Sequence, residues 1–306
     1  LCGLWASCGS NDRAPDPLAA YFNQTLDWQT CNQRFRDTIG AHFSAELDKL
    51  GSRGTCALMR APLDYADPAK GGVQVALLRV AAEDPGQRLG AILFNPGGPG
   101  GDGLYLSVAF GAAWTAADAA DPAQALYRQM ARQYDLIGFS PRGTGASTNL
   151  TCPSDASFRF ESIIAADDSQ TNFDNILQTS RLIAENCARN PQTPYMNSET
   201  TVRDLDLVRH LLGDDKFNYI GYSYGTWLGT WYAGRFPERV GRMLLIGNAD
   251  ITAPLNDVLL PQGQGMQRVM DEALAPYAAR HPERFRLGGT AAEVRQAYLS
   301  LRTPAP

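Results

Sequence analysis

The sequence predicts an α/β fold with a doubly wound, mostly parallel sheet, and three features support this. Short apolar runs, typical of strands buried on both faces, lie at 91–94, 217–220 and 243–246. Stretches with the pattern of helices separate them, and glycine-rich loops follow two of them. Alternation of strands and helices along a chain favours a parallel sheet covered by helices on both faces.

Two further strands and two helical regions complete the predicted order. The strand 73–80 follows a turn with two glycines, and the strand 134–139 ends in the loop Ser140–Gly145. The stretch 151–200 is predicted as a mostly helical insertion, with its clearest helix at 173–190.

The helical pattern at 201–212 carries its own end signals. Thr201 and Asp204 have the spacing of an N-terminal capping pair, and Gly213 marks the end of the helix. After Asp250 the pattern is helical only, over 262–281 and 291–302. We therefore expect residues 251–306 to begin a helical cap, or lid.

The composition indicates a globular protein and argues against nucleic-acid-binding and membrane-spanning classes. The chain has 306 residues, 44% of them hydrophobic and 19% charged, which is typical of a globular protein with a core. The net charge of −5 comes from interspersed acids and bases, so a nucleic-acid partner is not expected. No apolar run reaches the roughly 18 residues that span a bilayer.

The first residues predict export. Residues 1–10 resemble the tail of a secretory signal whose upstream part, with its initiator Met, is missing here. The stretch Leu4–Cys8 resembles a bacterial lipobox, which would make Cys8 a lipidation site, although Trp5 departs from that pattern. A plain signal or a cloning remnant is the alternative. We expect residues 1–30 to be a signal remnant and tether, and 31–250 to form the core.

The remaining four cysteines allow three disulfide pairings. Proximity along the chain favours Cys31–Cys56 and Cys152–Cys187, but sequence does not choose among the three. Their spacings match no zinc site. Disulfides indicate an oxidising compartment, which agrees with secretion or a place in the cell envelope.

A nucleophile elbow is the strongest chemical signal. Gly221-Tyr222-Ser223-Tyr224-Gly225 follows a predicted strand and precedes a predicted helix, the setting in which G-x-S-x-G holds a catalytic serine. The tight turn keeps the hydroxyl clear of the sheet, where a base and a substrate carbonyl both reach it. The pattern predicts Ser223 as a nucleophile.

The loop Asn95-Pro96-Gly97-Gly98-Pro99-Gly100-Gly101 is the second signal. A glycine-rich loop after a strand offers backbone N–H groups, which serve an oxyanion hole together with the residue after the nucleophile. We predict the N–H groups of Gly98 and Tyr224 as the donors, with Gly97 as the alternative to Gly98. A tight turn that binds nothing is the competing interpretation. The glycine spacing matches no nucleotide-binding motif.

These motifs, in this order, resemble the α/β-hydrolase exopeptidases of the tripeptidyl aminopeptidase type, relatives of prolyl aminopeptidase and of mycobacterial cell-envelope serine proteases. The matching pieces cover roughly residues 30–300 and include 56–58, 62–65, 95–100, 138–143, 204–206, 212–216, 221–226 and 236–240. Two positions depart from the family pattern: Ser140 stands where an Asp is usual, and Ile246-Gly247 where Asp-Gly is usual.

The resemblance implies an α/β-hydrolase fold whose C-terminal strands, catalytic Asp and catalytic His are absent from this chain, which looks truncated. An internal triad would need Asp250 as acid and His281 as base, and His281 has the position of a helix-end residue instead. We expect His42 and His210, which precede the serine, to lie on helix faces or the surface. Arg142 is expected to form a structural salt bridge or to brace the loops of the site.

The sequence thus predicts an exported serine hydrolase, an aminopeptidase that releases short peptides through an acyl-enzyme on Ser223. A carboxylesterase or lipase on the same fold is one alternative, and a catalytically incomplete fragment or pseudoenzyme is the other. The expected partners are a peptide substrate and a C-terminal fragment that completes the triad, with membrane contact only through a lipid anchor. No metal or organic cofactor is implied.

Overall fold

The computed structural model describes residues 16–152 and 169–301 and divides the chain into two units. The first unit runs to Asn149 and resumes over Tyr195–Ile246, whereas the second comprises Leu150–Pro194 and the residues from Gly247 onward. The predicted insertion and the predicted cap therefore supply the second unit. The predicted signal remnant and the proposed lipidation site Cys8 lie outside the described residues.

The described part of the first unit contains a six-stranded mixed sheet in the order β1-β2-β4-β3-β5-β6. The strands are β1 (Gly54–Pro62), β2 (Gly72–Val80), β3 (Gly90–Asn95), β4 (Tyr134–Phe139), β5 (Phe217–Tyr222) and β6 (Val240–Ile246). β4, β3, β5 and β6 run parallel to one another, and β2 is antiparallel to both β1 and β4. The strands predicted from apolar runs are confirmed; β1 was not predicted.

Helices cover both faces of this sheet, as predicted. They are α1 (Ala19–Phe22), α2 (Gln33–Leu50), α3 (Leu104–Thr115), α4 (Pro122–Gln133), α6 (Ser198–Leu211) and α7 (Tyr224–Arg235). Side chains alternate along β3: Ala91 and Leu93 join a core cluster with α6 and α7, while Ile92 and Phe94 join one with α2, α3 and α4. This alternation makes β3 a fully buried central strand.

The start of α6 differs from the prediction. α6 begins at Ser198, and its N-cap is Asn197, whose side chain accepts a hydrogen bond from the N–H of Thr200 at 3.0 Å. Thr201 and Asp204 lie inside the helix, because Asn197 has the extended backbone that a cap requires. The predicted capping pair is therefore wrong by one helical turn.

Residues 16–30, predicted as the end of a tether, pack on the first unit instead. Leu26 is buried in the core cluster of α6 and α7, and Trp28 packs against the same cluster. Gln29 forms an antiparallel bridge with Cys56, next to the disulfide Cys31–Cys56.

The second unit is helical in its described residues. It contains α5 (Gln170–Ala188), α8 (Leu255–Val269), the π-helical turn Met270–Leu274, α9 (Ala275–Ala279), α10 (Pro282–Phe285) and α11 (Ala291–Ser300). A small core of Ala275, Ala278 and Val294 joins α9 and α11. The disulfide Cys152–Cys187 ties the end of α5 to the start of the insertion, so both favoured pairings are confirmed. No described helix has the length and apolarity needed to cross a membrane.

Candidate active site

Ser223 stands between β5 and α7 in a strained backbone conformation. Its φ of 52° and ψ of −121° fall in a region that residues with a side chain rarely adopt. The Ser223 N–H donates to the carbonyl of Ile246 at 3.0 Å, and the Ser223 carbonyl accepts from the Thr226 N–H at 2.9 Å. These bonds hold the turn, and the Ser223 side chain is exposed. This is the geometry that the G-x-S-x-G motif predicts.

The two glycines of the motif are required by close backbone approaches. A Cβ at Gly221 would lie 2.6 Å from the carbonyl oxygen of Gly225, and one at Gly225 would lie 2.7 Å from the carbonyl oxygen of Asn95. The Tyr219 hydroxyl donates to the Gly225 carbonyl at 2.9 Å, which joins β5 to α7 from within the core. The elbow is therefore packed against β5 and against the end of β3.

The glycine-rich loop lies directly against the elbow. A Cβ at Gly97 would lie 2.5 Å from the Tyr222 carbonyl oxygen, 2.8 Å from the Tyr224 nitrogen and 3.0 Å from Ser223 Cβ. The sheet causes this contact, because Asn95 at the end of β3 pairs with Gly221 at the end of β5. The structure thus brings together Ser223, Tyr224 and the loop that sequence predicted as oxyanion donors.

The two candidate donors in the loop differ in their hydrogen bonds. The Gly97 N–H donates to Asn95 Oδ1 at 2.9 Å, whereas the Gly98 N–H has no hydrogen-bond partner among the described residues. Tyr224 is the first residue of α7, so its N–H has no acceptor within the helix. The Tyr224 side chain is held elsewhere, by a hydrogen bond with Ser198 and by stacking on Trp227.

A family model described as the α/β hydrolase fold matches residues 90–286, more than half of the chain. This chain belongs to the α/β-hydrolase family. Its relatives include a tripeptidyl aminopeptidase of Streptomyces coelicolor, 33% identical over 82% of this chain and 45% of that protein. The serine protease Hip1 of Mycobacterium tuberculosis is 30% identical over 99% of this chain and 54% of its own length.

A third relative carries a different name. Carboxylesterase B of Mycobacterium tuberculosis is 33% identical over 92% of this chain and 50% of its own length. The chain therefore spans about half the length of the curated relatives it matches.

The loop after β4 of this α/β hydrolase carries one partner of a buried ion pair. Arg142 donates to both carboxylate oxygens of Asp204, at 2.7 and 2.6 Å, and the two side chains are 0% and 2% exposed. Arg142 also donates to the carbonyls of Pro62 and Leu63, at 3.1 and 3.0 Å. Burial lowers the pKa of Arg142, but the charge and hydrogen bonds of Asp204 outweigh it and leave the pKa raised. The expected structural salt bridge is present.

Asp102 follows the glycine-rich loop and contacts the position where the family pattern has an acid. Ser140 donates a hydrogen bond to Asp102 Oδ2, and the Leu104 N–H donates to Asp102 Oδ1 at 2.9 Å. Burial raises the pKa of Asp102, and these hydrogen bonds offset part of the shift. This contact was not predicted, because residues 38 positions apart give no periodic signal.

The predicted in-chain acid and base lie in the second unit, whereas Ser223 lies in the first. Asp250 is exposed, and its Oδ1 accepts hydrogen bonds from the Thr252 N–H and hydroxyl, which lower its pKa. His281 lies just before α10, with Nδ1 3.8 Å from Glu283 Oε1 and its ring beside Tyr277. The roles of Asp250 and His281 stay predictions.

The other two histidines occupy helix positions. His42 is exposed on α2, and His210 near the end of α6 has Nε2 3.2 Å from the Phe22 carbonyl oxygen. Over residues 16–152 and 169–301, no group of three or more His, Cys, Asp or Glu side chains is placed to hold a metal ion.

Proposed function

We propose that this chain carries the nucleophile of a serine hydrolase that acts on peptides, an aminopeptidase that releases tripeptides from peptide N-termini. The observation that carries the proposal is the strained Ser223 elbow with the Gly97 backbone packed against it. The names of two relatives, tripeptidyl aminopeptidase and serine protease, support a peptide substrate.

In this mechanism Ser223 Oγ attacks the carbonyl carbon of the scissile amide. The resulting oxyanion accepts hydrogen bonds from the N–H groups of Gly98 and Tyr224. A histidine takes the serine proton and delivers it to the leaving amine, which leaves an acyl-enzyme on Ser223. Water then attacks the acyl carbon with the same histidine as base, and the peptide acid is released.

We propose that the acid and the base come from a polypeptide segment outside the described residues and that this segment adds a parallel strand to β6. Within the described sheet β6 is an edge strand, and its Leu244 and Ile246 side chains are 53% and 41% exposed. Beside them lies a cavity of about 530 Å³, lined mostly by apolar side chains such as Ile92, Leu126 and Ile220. Parallel sheets are normally covered on both faces, so this face suits a further strand and helix.

The position of the elbow suits this arrangement. Ser223 is bonded to Ile246, at the C-terminal end of β6. A strand paired with β6 would end about 10 Å from the end of β5, since neighbouring strands lie about 4.8 Å apart. Loops that follow such a strand reach the serine.

A substitution at Leu244 tests the docking of this segment. In the full-length protein we expect Leu244→Asp to lower the melting temperature and the activity, because the proposal buries this face. Leu58→Asp, at an exposed side chain of β1 on the opposite edge of the described sheet, is the control, and we expect it to leave the activity nearly unchanged. An unchanged melting temperature and activity for Leu244→Asp would contradict docking at β6.

The internal triad gives different expectations. If Asp250 and His281 acted as acid and base, Asp250→Asn and His281→Asn would each lower kcat of the full-length protein by about 10⁴ or more. We expect kcat within a few-fold of wild type for both, whereas Ser223→Ala lowers it by roughly 10⁶. A loss with either of the first two variants would place that residue in the triad.

Esterase activity is the second candidate, because one relative is named carboxylesterase B. The comparison of kcat/KM on tripeptide amides and on short acyl esters separates the two. Faster turnover of esters would overturn the peptidase proposal.

An incomplete fragment is the third candidate. Residues 1–306 alone, treated with a fluorophosphonate, would then leave Ser223 unlabelled, and labelling restored by an added C-terminal fragment would show that this fragment completes the triad.

We further propose that the protein is exported. Two disulfides, Cys31–Cys56 and Cys152–Cys187, are stable in oxidising compartments and rare in the cytosol. A lipid on Cys8 would add a membrane anchor. Mass analysis of the mature N-terminus tests both, and an unmodified Cys8 in the mature protein would exclude the lipid.

A further inference from the structure

Asn95 occupies the junction between the sheet and the glycine-rich loop. It is the last residue of β3, it is 1% exposed, and it pairs with Gly221 at the end of β5. Its carbonyl oxygen faces Gly225, where a Cβ would lie 2.7 Å away. The Asn95 backbone is thus fixed by β5 and by the elbow helix.

Among the described residues the Asn95 side chain makes one hydrogen bond, and that bond reaches into the loop. Asn95 Oδ1 accepts the Gly97 N–H at 2.9 Å. This bond engages the Gly97 N–H, whereas the next N–H, that of Gly98, has no partner among the described residues, and neither has that of Gly100. Asn95 therefore withholds the Gly97 N–H from a ligand and leaves the neighbouring Gly98 N–H available.

The NH₂ group of the Asn95 side chain lowers the stability of the fold. Asn95 Nδ2 is buried and has no hydrogen-bond partner in the described part of the chain. A buried donor without a partner destabilises the folded protein. A flipped amide would not help, since it would direct the NH₂ group at the Gly97 N–H. Stability alone therefore does not explain an asparagine at this position, whereas the acceptor for Gly97 does.

We propose that Asn95 is a positioning residue for the oxyanion hole: it binds the Gly97 N–H so that the Gly98 N–H faces the reacting carbonyl. This inference rests on the proposed serine hydrolase function. It concerns the transition state, because the oxyanion exists there and not in the bound substrate.

Asn95→Leu in the full-length protein separates this role from a structural one. The leucine removes the unpaired Nδ2 but leaves the Gly97 N–H unpaired, so the number of unpaired buried groups is the same. We therefore expect a melting temperature close to wild type. We expect kcat to fall by about 10²–10³ with KM within a few-fold, the size expected for one lost oxyanion donor.

Asn218→Leu is the matched control. Asn218 is also a buried asparagine in this sheet, at the end of β5 away from the elbow, and both ends of its amide are bonded. Its Nδ2 donates to the Ala91 carbonyl at 3.1 Å, and its Oδ1 accepts the Arg242 N–H at 3.0 Å. We expect Asn218→Leu to lower the melting temperature and to leave kcat of the folded protein nearly unchanged.

Binding of a peptide aldehyde gives a second readout, because the aldehyde forms a tetrahedral adduct with the serine. Its affinity should fall in Asn95→Leu by the same factor as kcat/KM. The inference is overturned if Asn95→Leu keeps the wild-type kcat. It is also overturned if the melting temperature and kcat fall together, because unfolding of the site would then explain the loss of activity. A wild-type protein that reacts with neither aldehyde nor fluorophosphonate would instead refute the proposed function.

Discussion

Gly97→Ala perturbs the contact between the glycine-rich loop and the elbow without changing a group that reacts. The new Cβ would lie 2.5 Å from the Tyr222 carbonyl oxygen and 2.8 Å from the Tyr224 nitrogen, where ordinary contact begins at 3.4 Å. Relief of this overlap moves the loop away from the elbow by most of an ångström. A displacement of about 1 Å in a catalytic site costs roughly 10² in rate. We therefore expect kcat/KM of Gly97→Ala to fall about 10²-fold.

Gly100→Ala is the control for backbone strain. Gly97 and Gly100 both have positive φ, 99° and 82°, so alanine is strained at either position. Within the described part of the chain, a Cβ at Gly100 would meet only the Thr144 methyl group, at an ordinary 3.5 Å. Backbone strain should cost each variant about 1–2 kcal/mol of stability, and the overlap adds to this cost in Gly97→Ala. Gly100→Ala should keep kcat/KM within a few-fold of wild type.

The assay is the second-order rate of Ser223 phosphonylation together with kcat/KM on a tripeptide amide, both on the full-length protein. Melting temperatures confirm that each variant is folded. A folded Gly97→Ala that reacts as fast as wild type would show that the loop does not form part of the site. Equal losses for both glycine variants would show that strain, and not contact with the elbow, causes the effect.

Three further predictions concern stability. Arg142→Met leaves a buried carboxylate unpaired and should cost about 3–5 kcal/mol, seen as a large drop in melting temperature, whereas Arg36→Met at an exposed ion pair should change it little. Replacing both Cys31 and Cys56 with serine opens a loop of 25 residues and should cost about 3 kcal/mol in denaturant unfolding; an unchanged midpoint would contradict this. The pKa of Asp102 is raised in the folded protein, so its ionised form destabilises the fold. As the pH rises from the usual aspartate range through the raised pKa, wild type should therefore lose stability relative to Asp102→Asn. Above the raised pKa the difference in stability should stay constant. Parallel pH-stability curves would refute the last prediction.

The central strands were predictable because a strand buried on both faces is apolar along most of its length. β3 and β5 have this property and match their apolar runs closely. β1 lies at the sheet edge with alternating exposure, at Leu58 and Arg60 among others, so it gave no continuous run. α3 is almost wholly apolar and shows no polar face, so periodicity did not reveal it.

The site was predictable only in its local part. Ser223 and the loop from Asn95 to Gly101 carry short motifs whose chemistry depends on residues next to each other. The pairing of Arg142 with Asp204 joins residues 62 positions apart, and only the fold reveals it. The bond from Gly97 to Asn95 is local, yet its meaning depends on the unpaired Nδ2 and on the elbow, which lies more than a hundred residues away in sequence.

Identification of the residue that forms the acyl-enzyme tests the central claim most directly. The full-length protein is quenched in acid during turnover of an activated tripeptide ester, and its peptides are analysed by mass. We expect one acylated residue, Ser223, with no acyl adduct in Ser223→Ala and tripeptide release lost in the same variant. Acylation of another residue, or tripeptide release that persists in Ser223→Ala, would contradict the account.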